Sequence, residues 1–207
     1  MKKLVWEGGE RRIPKNYEGF SALKNSCVMA RLRYVLPYLK MSQIVVDIGS
    51  GTGWNTKYVS LYCSHIYGID NSAEAIEYSK GINDSVNITW VQEDMCKLDF
   101  IETDSIDFIM SIAAIEHITR DDMISLFSDS HRILKSGGFF VGTTTAFRKV
   151  SKVDATKWHK YEPSIEDLKK IVSPYFEVIK MENFKLNTPD LVREYTEGMF
   201  SLKKKEK

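Results

Sequence analysis

Val45-Val46-Asp47-Ile48-Gly49-Ser50-Gly51-Thr52-Gly53 decides the fold. The stretch Ile44 to Ile48 is rich in β-branched residues, flanked by polar ones and too short for a buried helix. It therefore reads as a strand covered on both faces, as in a parallel sheet. The alternating glycines that follow let the backbone turn sharply and approach a ligand where a Cβ would collide. A helical pattern resumes at Trp54, which gives strand, glycine loop and helix, the construction that places a nucleotide at the carboxyl ends of parallel strands. The dinucleotide fingerprint G-x-G-x-x-G has wider spacing before its last glycine. Here Gly49, Gly51 and Gly53 alternate, and Asp47 stands just ahead of them. A carboxylate in that place repels a diphosphate and suits a ligand that brings an ammonium group. No Gly-Lys-Ser/Thr follows the loop, which excludes a P-loop.

Downstream, His65-Ile66-Tyr67-Gly68-Ile69-Asp70 reads as a second strand ending in a carboxylate, seventeen residues after Gly53. Nucleotide folds place an acid near that spacing, and its two oxygens match the two vicinal hydroxyls of a ribose. Asn71 or Ser72 can cap the next helix, which leaves Asp70 for a ligand. A third strand, Ile88 to Val91, leads into Gln92-Glu93-Asp94-Met95, and a fourth spans Ser105 to Ser111. Thr119 and Asp122 form a capping box for a helix with Met123, Leu126, Phe127, Ser130, Ile133 and Leu134 on one stripe. The pair Gly137-Gly138 is expected to end that helix, before a fifth strand from Phe139 to Thr145.

Residues 146–163 have no hydrophobic period and read as a lid or binding loop. They contain Trp158-His159-Lys160-Tyr161-Glu162. Ser164 and Asp167 cap a further helix that Pro174 stops, Phe176 to Met181 is a sixth strand, and Met199 to Leu202 a seventh. Upstream, Val28, Leu32, Val35, Leu36 and Leu39 recur as on one helix, with Pro37 disturbing its end. Residues 1–20 read as a flap whose Trp6, Tyr17 and Phe20 close over a substrate.

An acid followed by G-x-G-x-G, an Asp closing the second strand and an acid after the third resemble the class I S-adenosylmethionine-dependent methyltransferases over roughly residues 40 to 185. The resemblance implies an α/β fold: a Rossmann-like, seven-stranded, mostly parallel sheet with helices on both faces and an antiparallel last strand beside the fifth. It implies one domain over 1–207, with residues 1–40 as lid and helix and 41–207 as the core. It also implies S-adenosylmethionine as cofactor, held by Asp47, Gly49, Ser50, Gly51, Gly53, Asp70, Asn71, Asp94, Met95 and Ser111. Asp94 would face the adenine amine, a donor that suits an acceptor-only carboxylate.

Methyl transfer is an in-line displacement, so the acceptor lone pair must be aligned and made available, by a base or by a metal. His117, after the fourth strand, and His159, in the long loop, are the candidate catalytic residues. Glu116-His117 with His159 is similar to small-molecule O-methyltransferases, and also to metal-binding small-RNA 3′-end methyltransferases, which use two acids and two histidines. Ala113 stands where the latter have their first acid, so an ion held by Glu116, His117 and His159 alone would be short of ligands, and no metal is expected.

The expected activity is O-methylation of a sugar or other small metabolite. Its rivals are the metal-assisted RNA reaction, a nicotinamide-dependent oxidoreductase, and a binding protein that keeps the pocket without turnover. Against the oxidoreductase stand the glycine spacing and the lack of a Tyr-x-x-x-Lys pair after the fourth strand. A net charge of +1 across 207 residues gives no electrostatic case for DNA or an anionic membrane as partner. The lysines at 203–205 read as a solvated end rather than a nucleic-acid patch. No apolar window is long enough to span a bilayer, and Met1-Lys2-Lys3-Leu4-Val5-Trp6-Glu7 is not read as a secretory signal. Cys27, Cys63 and Cys96, odd in number and without a C-x-x-C pair, fit buried thiols in a reducing cytoplasm.

Overall fold

The computed structural model describes residues 3–6, 9–12, 28–83, 85–153, 158–186 and 195–206. In chain order its strands begin with β1 (Lys3–Trp6) and β2 (Gly9–Arg12), an antiparallel hairpin. Then come β3 (Ile44–Ile48), β4 (His65–Asp70), β5 (Ile88–Gln92), β6 (Ile106–Ile112) and β7 (Leu134–Thr145). The last four are β8 (Lys152–Val153), β9 (Tyr161–Glu162), β10 (Phe176–Leu186) and β11 (Tyr195–Lys204). The helices are α1 (described over 28–32), α2 (Trp54–Val59), α3 (Ala73–Ile82), α4 (Arg120–Ile133) and α5 (Ile165–Val172).

Seven strands form one sheet in the order β10-β11-β7-β6-β3-β4-β5. β3 pairs in parallel with β4 and β6, β4 with β5, and β6 with β7. β11 runs antiparallel to both β7 and β10, so the last strand lies beside the fifth strand of the sheet, as expected. This is the class I methyltransferase fold.

Successive side chains of a strand point to opposite faces, and both faces of this sheet are packed. Val46, Ile48, Ile69, Ile109 and Phe140 enter a core with α4 and α5, where Phe127 meets the rings of Phe140, Phe176 and Phe200 at 5.2, 6.2 and 6.0 Å. Val45, Ile66, Phe108, Met110 and Val141 face the other way, onto Val28, Leu32, Val35 and Val59. The caps stand as expected: Asp122 N–H donates to Thr119 Oγ1 at 3.2 Å, and Asp167 N–H to Ser164 Oγ at 3.1 Å.

Four expectations need correction. The helix read through Leu39 stops at 32 and resumes as a 3-10 turn over Leu36–Tyr38, because the ring of Pro37 occupies the first turn and cannot donate to a continuing helix. Gly137-Gly138 does not end α4, which stops at Ile133. The pair lies within β7, where Lys135 to Gly138 loop out opposite Asp107 between the pairs Ile106 with Leu134 and Phe108 with Phe139, and Gly137 takes φ +74°. The long loop carries the short antiparallel β8–β9 ladder, too brief to leave a period in the sequence. Finally, β10 and β11 are 11 and 10 residues long, well beyond the apolar runs that announced them, because each borrows order from its partner. Of the expected flap over residues 1–20 the structure describes the backbone of the β1–β2 hairpin, whereas Tyr17, Phe20, Cys27 and the side chain of Trp6 lie outside the described residues, and with them the closure by aromatic rings.

Candidate active site

The carboxyl ends of the parallel strands surround a cleft lined by Gly49, Asp70, Asn71, Asp94, Met95, Cys96, Ala114, His117, Ile118, Asp122 and Lys160. Five of these, Gly49, Asp70, Asn71, Asp94 and Met95, come from the residues singled out for the cofactor. Cys96, Ala114, Ile118, Asp122 and Lys160 escaped the sequence reading. Asp122 is read there as a cap, Cys96 as a buried thiol and Lys160 only as a member of the loop run beside His159, while Ala114 and Ile118 carry no motif.

The glycine loop is tied to β4 through its backbone. Gly49 N–H and Ser50 N–H both donate to the Ile69 carbonyl at 2.9 Å, and Gly51 N–H donates to Asp70 Oδ2 at 2.7 Å. Asp70 Oδ1 accepts from Ser72 N–H at 2.9 Å, while Ser72 caps α3 by accepting from Ala75 N–H. Asp70 thus sets the shape of the loop as well as facing the cleft. Gly49, Gly51 and Gly53 have φ of +71°, +55° and +75°, the left-handed region that glycine enters without a Cβ penalty. A Cβ on Gly49 would lie 2.5 Å from that of Ala114, and one on Gly53 would lie 2.4 Å from the Trp90 ring. Gly53 is therefore fixed by packing against β5 and not by the cleft.

Asp47 is 1% exposed. Its Oδ2 accepts from Thr56 Oγ1 at 2.6 Å, whereas Oδ1 is buried with no partner. Burial pushes the carboxyl up to about 7, against the Thr56 hydrogen bond and with a smaller push from Asp70. Ser50 Oγ and Ser111 Oγ are also buried without partners among the described residues, and none of Asp47, Ser50, Gly51, Gly53 and Ser111 lines the cleft. Asp47 Oδ1 and Ser50 Oγ, on or beside the glycine loop, are thus buried polar atoms left unmatched behind the cleft wall. Asp94 Oδ1 accepts from Cys96 N–H at 2.9 Å. Burial, with Asp94 and Asp122 nearby, raises the Cys96 thiol to about 12, so this cleft cysteine is no nucleophile.

On the opposite side, Glu116 and His117 occupy a 3-10 turn over Ile115–His117, entered through Ala113 at φ +51°. The loop after β7 is pinned to this turn by Lys160 N–H, which donates to the Glu116 carbonyl at 2.9 Å. The rings of His117 and His159 meet edge to face with centroids 5.2 Å apart, so the structure joins two histidines 42 residues apart in sequence. His117 Nδ1 lies 2.8 Å from the Trp158 carbonyl, which can only accept, so Nδ1 carries the proton. His159 Nδ1 lies 2.7 Å from Glu162 Oε1, which fixes the same tautomer. In both neutral rings the lone pair is then on Nε2. Glu116 is buried, its Oε2 accepts from Thr144 Oγ1 at 3.0 Å, and burial raises its carboxyl to about 7. Glu162, the partner of His159, was visible in the sequence without its role; only the β9 turn three residues on brings it to the ring.

Residues 46–142 match the family model described as a methyltransferase domain. A malonyl-[acyl-carrier protein] O-methyltransferase of Hamiltonella defensa is 28% identical over 188 residues, 87% of this chain and 70% of that one. Among solved structures, an S-adenosylmethionine-dependent methyltransferase from Mesorhizobium loti superposes with a TM-score of 0.69 at 21% identity, over 84% of this chain and 95% of that one. The N-methyltransferase NodS from Bradyrhizobium japonicum, in complex with S-adenosylhomocysteine, does so with a TM-score of 0.67 at 18% identity, over 88% and 87%.

Proposed function

We propose that the chain is a class I S-adenosylmethionine-dependent methyltransferase that methylates oxygen on a small acceptor, a hydroxyl of a sugar or other metabolite, brought to the cleft beside His117 and His159; the methyltransferase domain matched over residues 46–142 and the methyltransferase relative support this. The cofactor supplies a methyl group on a sulfonium. Around it, Asp70 and Asn71 would hold the ribose, Asp94 and Met95 the adenine, and Gly49, Ser50 and Gly51 the amino-acid end. Asp47 would be drawn into its ionised form by an ammonium group. The unpartnered Asp47 Oδ1 and Ser50 Oγ, and the bare Gly49 backbone at the cleft wall, suit that set.

One observation carries the choice of a hydroxyl: the fixed tautomers of His117 and His159. An alcohol must lose a proton to become a good nucleophile, and two imidazoles with Nδ1–H tied down present Nε2 lone pairs for that purpose. A carboxylate acceptor is already ionised and has no use for them. The likeness to the malonyl-carrier enzyme favours a second reading, ester formation on an acyl carboxylate that a carrier protein presents.

Labelled S-adenosylmethionine, offered with panels of nucleotide-sugars, phenols, malonyl thioesters and small RNAs, separates these readings by where the label arrives. With the accepted substrate in hand, His159→Ala is expected to lower turnover by about 10²-fold or more while leaving cofactor affinity within about twofold. Unchanged turnover in both His159→Ala and His117→Ala would remove the histidines from the reaction.

A further inference from the structure

We propose that Ala114 is a specificity-determining residue: its methyl group limits the size of the alkyl group that the cofactor's sulfonium can carry into the cleft. This rests on the reading above, in which the amino-acid end of the cofactor lies along Gly49 and the acceptor comes in beside His117. Ala114 joins those two walls. A Cβ built on Gly49 would lie 2.5 Å from Ala114 Cβ, so the alanine methyl group fills the space in which a side chain at Gly49 would begin. Toward the other wall, His117 N–H donates to the Ala114 carbonyl at 3.0 Å.

The chain is bent to put it there. β6 ends at Ile112, and Ala113 takes φ +51° while its N–H donates to the Thr143 carbonyl at 3.0 Å. A residue with a Cβ adopts that left-handed conformation at a cost, and such strain gathers where a site needs it. Beyond this reversal Ala114 is buried and lines the cleft. Met95 Cε lies 3.4 Å from the same built Cβ on Gly49. Gly49, Met95 and Ala114 thus form an apolar collar in a cleft that Asp70, Asp94 and Asp122 make largely polar. A collar of this kind suits the carbon substituent of a sulfonium, which has no hydrogen bond to make.

In the transfer, the acceptor oxygen bonds to the alkyl carbon as the carbon–sulfur bond breaks. The electron pair of that bond stays on sulfur as a thioether, and the hydroxyl proton passes to an imidazole Nε2. Alignment of the three atoms carries the alkyl carbon from the cofactor wall toward His117, across the collar. One extra methylene in a packed apolar site is worth about 10–200-fold in discrimination. Met95 can yield to a larger group, because its side chain is flexible. Gly49 and Ala114 have no rotamer to turn aside, so the size limit is set on their side of the collar.

The test is calorimetry on the full chain, without acceptor, using S-adenosylmethionine, its S-ethyl analogue S-adenosylethionine, and S-adenosylhomocysteine, which carries no alkyl group on sulfur. The parent chain is expected to bind the methyl compound at least about tenfold more tightly than the ethyl one. In Ala114→Gly that ratio should fall below about threefold, with the affinity for S-adenosylhomocysteine within about twofold of the parent. Ala114→Val should act in the opposite sense, weakening the methyl compound by about tenfold and S-adenosylhomocysteine by less than about threefold. Circular dichroism checks that both variants are folded. A methyl-to-ethyl ratio that is the same in the parent and in both variants would overturn the size limit and leave the methyltransferase reading standing. So would a loss of S-adenosylhomocysteine binding in step with the other two compounds, since Ala114 would then only prop the glycine loop. Failure of all three compounds to bind the parent chain would remove the methyltransferase reading and the size limit together.

Discussion

The two walls of the cleft are built differently. The wall from β3 and β4 is one short stretch of chain whose backbone bonds to its neighbour strand, Gly49 and Ser50 to Ile69 and Gly51 to Asp70. The wall around His117 joins a 3-10 turn to a loop some forty residues later, through one backbone bond from Lys160 and side-chain bonds to Trp158 and Glu162. A backbone-built wall is shared by any sequence with the right glycines and acids. A wall held by side chains can be re-cut for another acceptor without disturbing the sheet. This difference supports the proposal that the first wall holds the cofactor and the second the acceptor.

Substitutions that separate the walls sharpen this contrast. The largest effect is expected at the glycines: Gly53→Ala puts a Cβ 2.4 Å from Trp90 in a left-handed conformation and should cost about 2–4 kcal/mol in urea unfolding. A loss under about 0.5 kcal/mol would break the picture of a rigid cofactor wall.

Next comes Asp47. Its pKa is raised from 3.8 to about 7 in the folded chain, so the fold holds more protons there than the unfolded chain does between those values. Its contribution is fully present below pH 3.8 and is lost as pH rises through about 7. Without cofactor, Asp47→Asn should therefore be more stable than the parent at pH 8, on the order of 1–4 kcal/mol, with no advantage near pH 3.5, as thermal melts at the two pH values would show. Smaller again, Glu162→Gln should lower turnover about tenfold, by loosening the His159 tautomer, with thermal stability nearly unchanged. The smallest change is expected from Ala113→Gly, which relieves φ +51° at the cost of a more flexible unfolded chain and should shift stability by under about 1 kcal/mol either way.

The same division explains what the sequence disclosed. β3, the loop and Asp70 were readable because residue type at fixed local spacing builds them, and Asp94 and Met95, singled out through the family resemblance, do line the cleft. That Gly53 answers to Trp90 was not readable, since the partner lies on another strand. On the second wall, His117 and His159 stood out as titratable residues after strand ends. Their edge-to-face contact, the Trp158 carbonyl and the Thr144 hydroxyl behind Glu116 are tertiary facts with no periodic trace. The break in the helix before Pro37 and the bulge at Gly137 were misplaced for a related reason: a proline or a glycine pair announces an interruption but not which element absorbs it.

The antiparallel strand β11 lies between β7 and β10, and among the described residues β10 pairs in the large sheet with β11 alone. As the chain leaves the ribosome, β10 emerges before the strand it must lie against, so that margin of the sheet waits for residues 195–204. Until they arrive, β7 exposes an open edge onto which a second nascent copy could add a strand. Slow synthesis between β10 and β11 would lengthen that hazard, and a block after residue 186 would leave a core with its border unsealed.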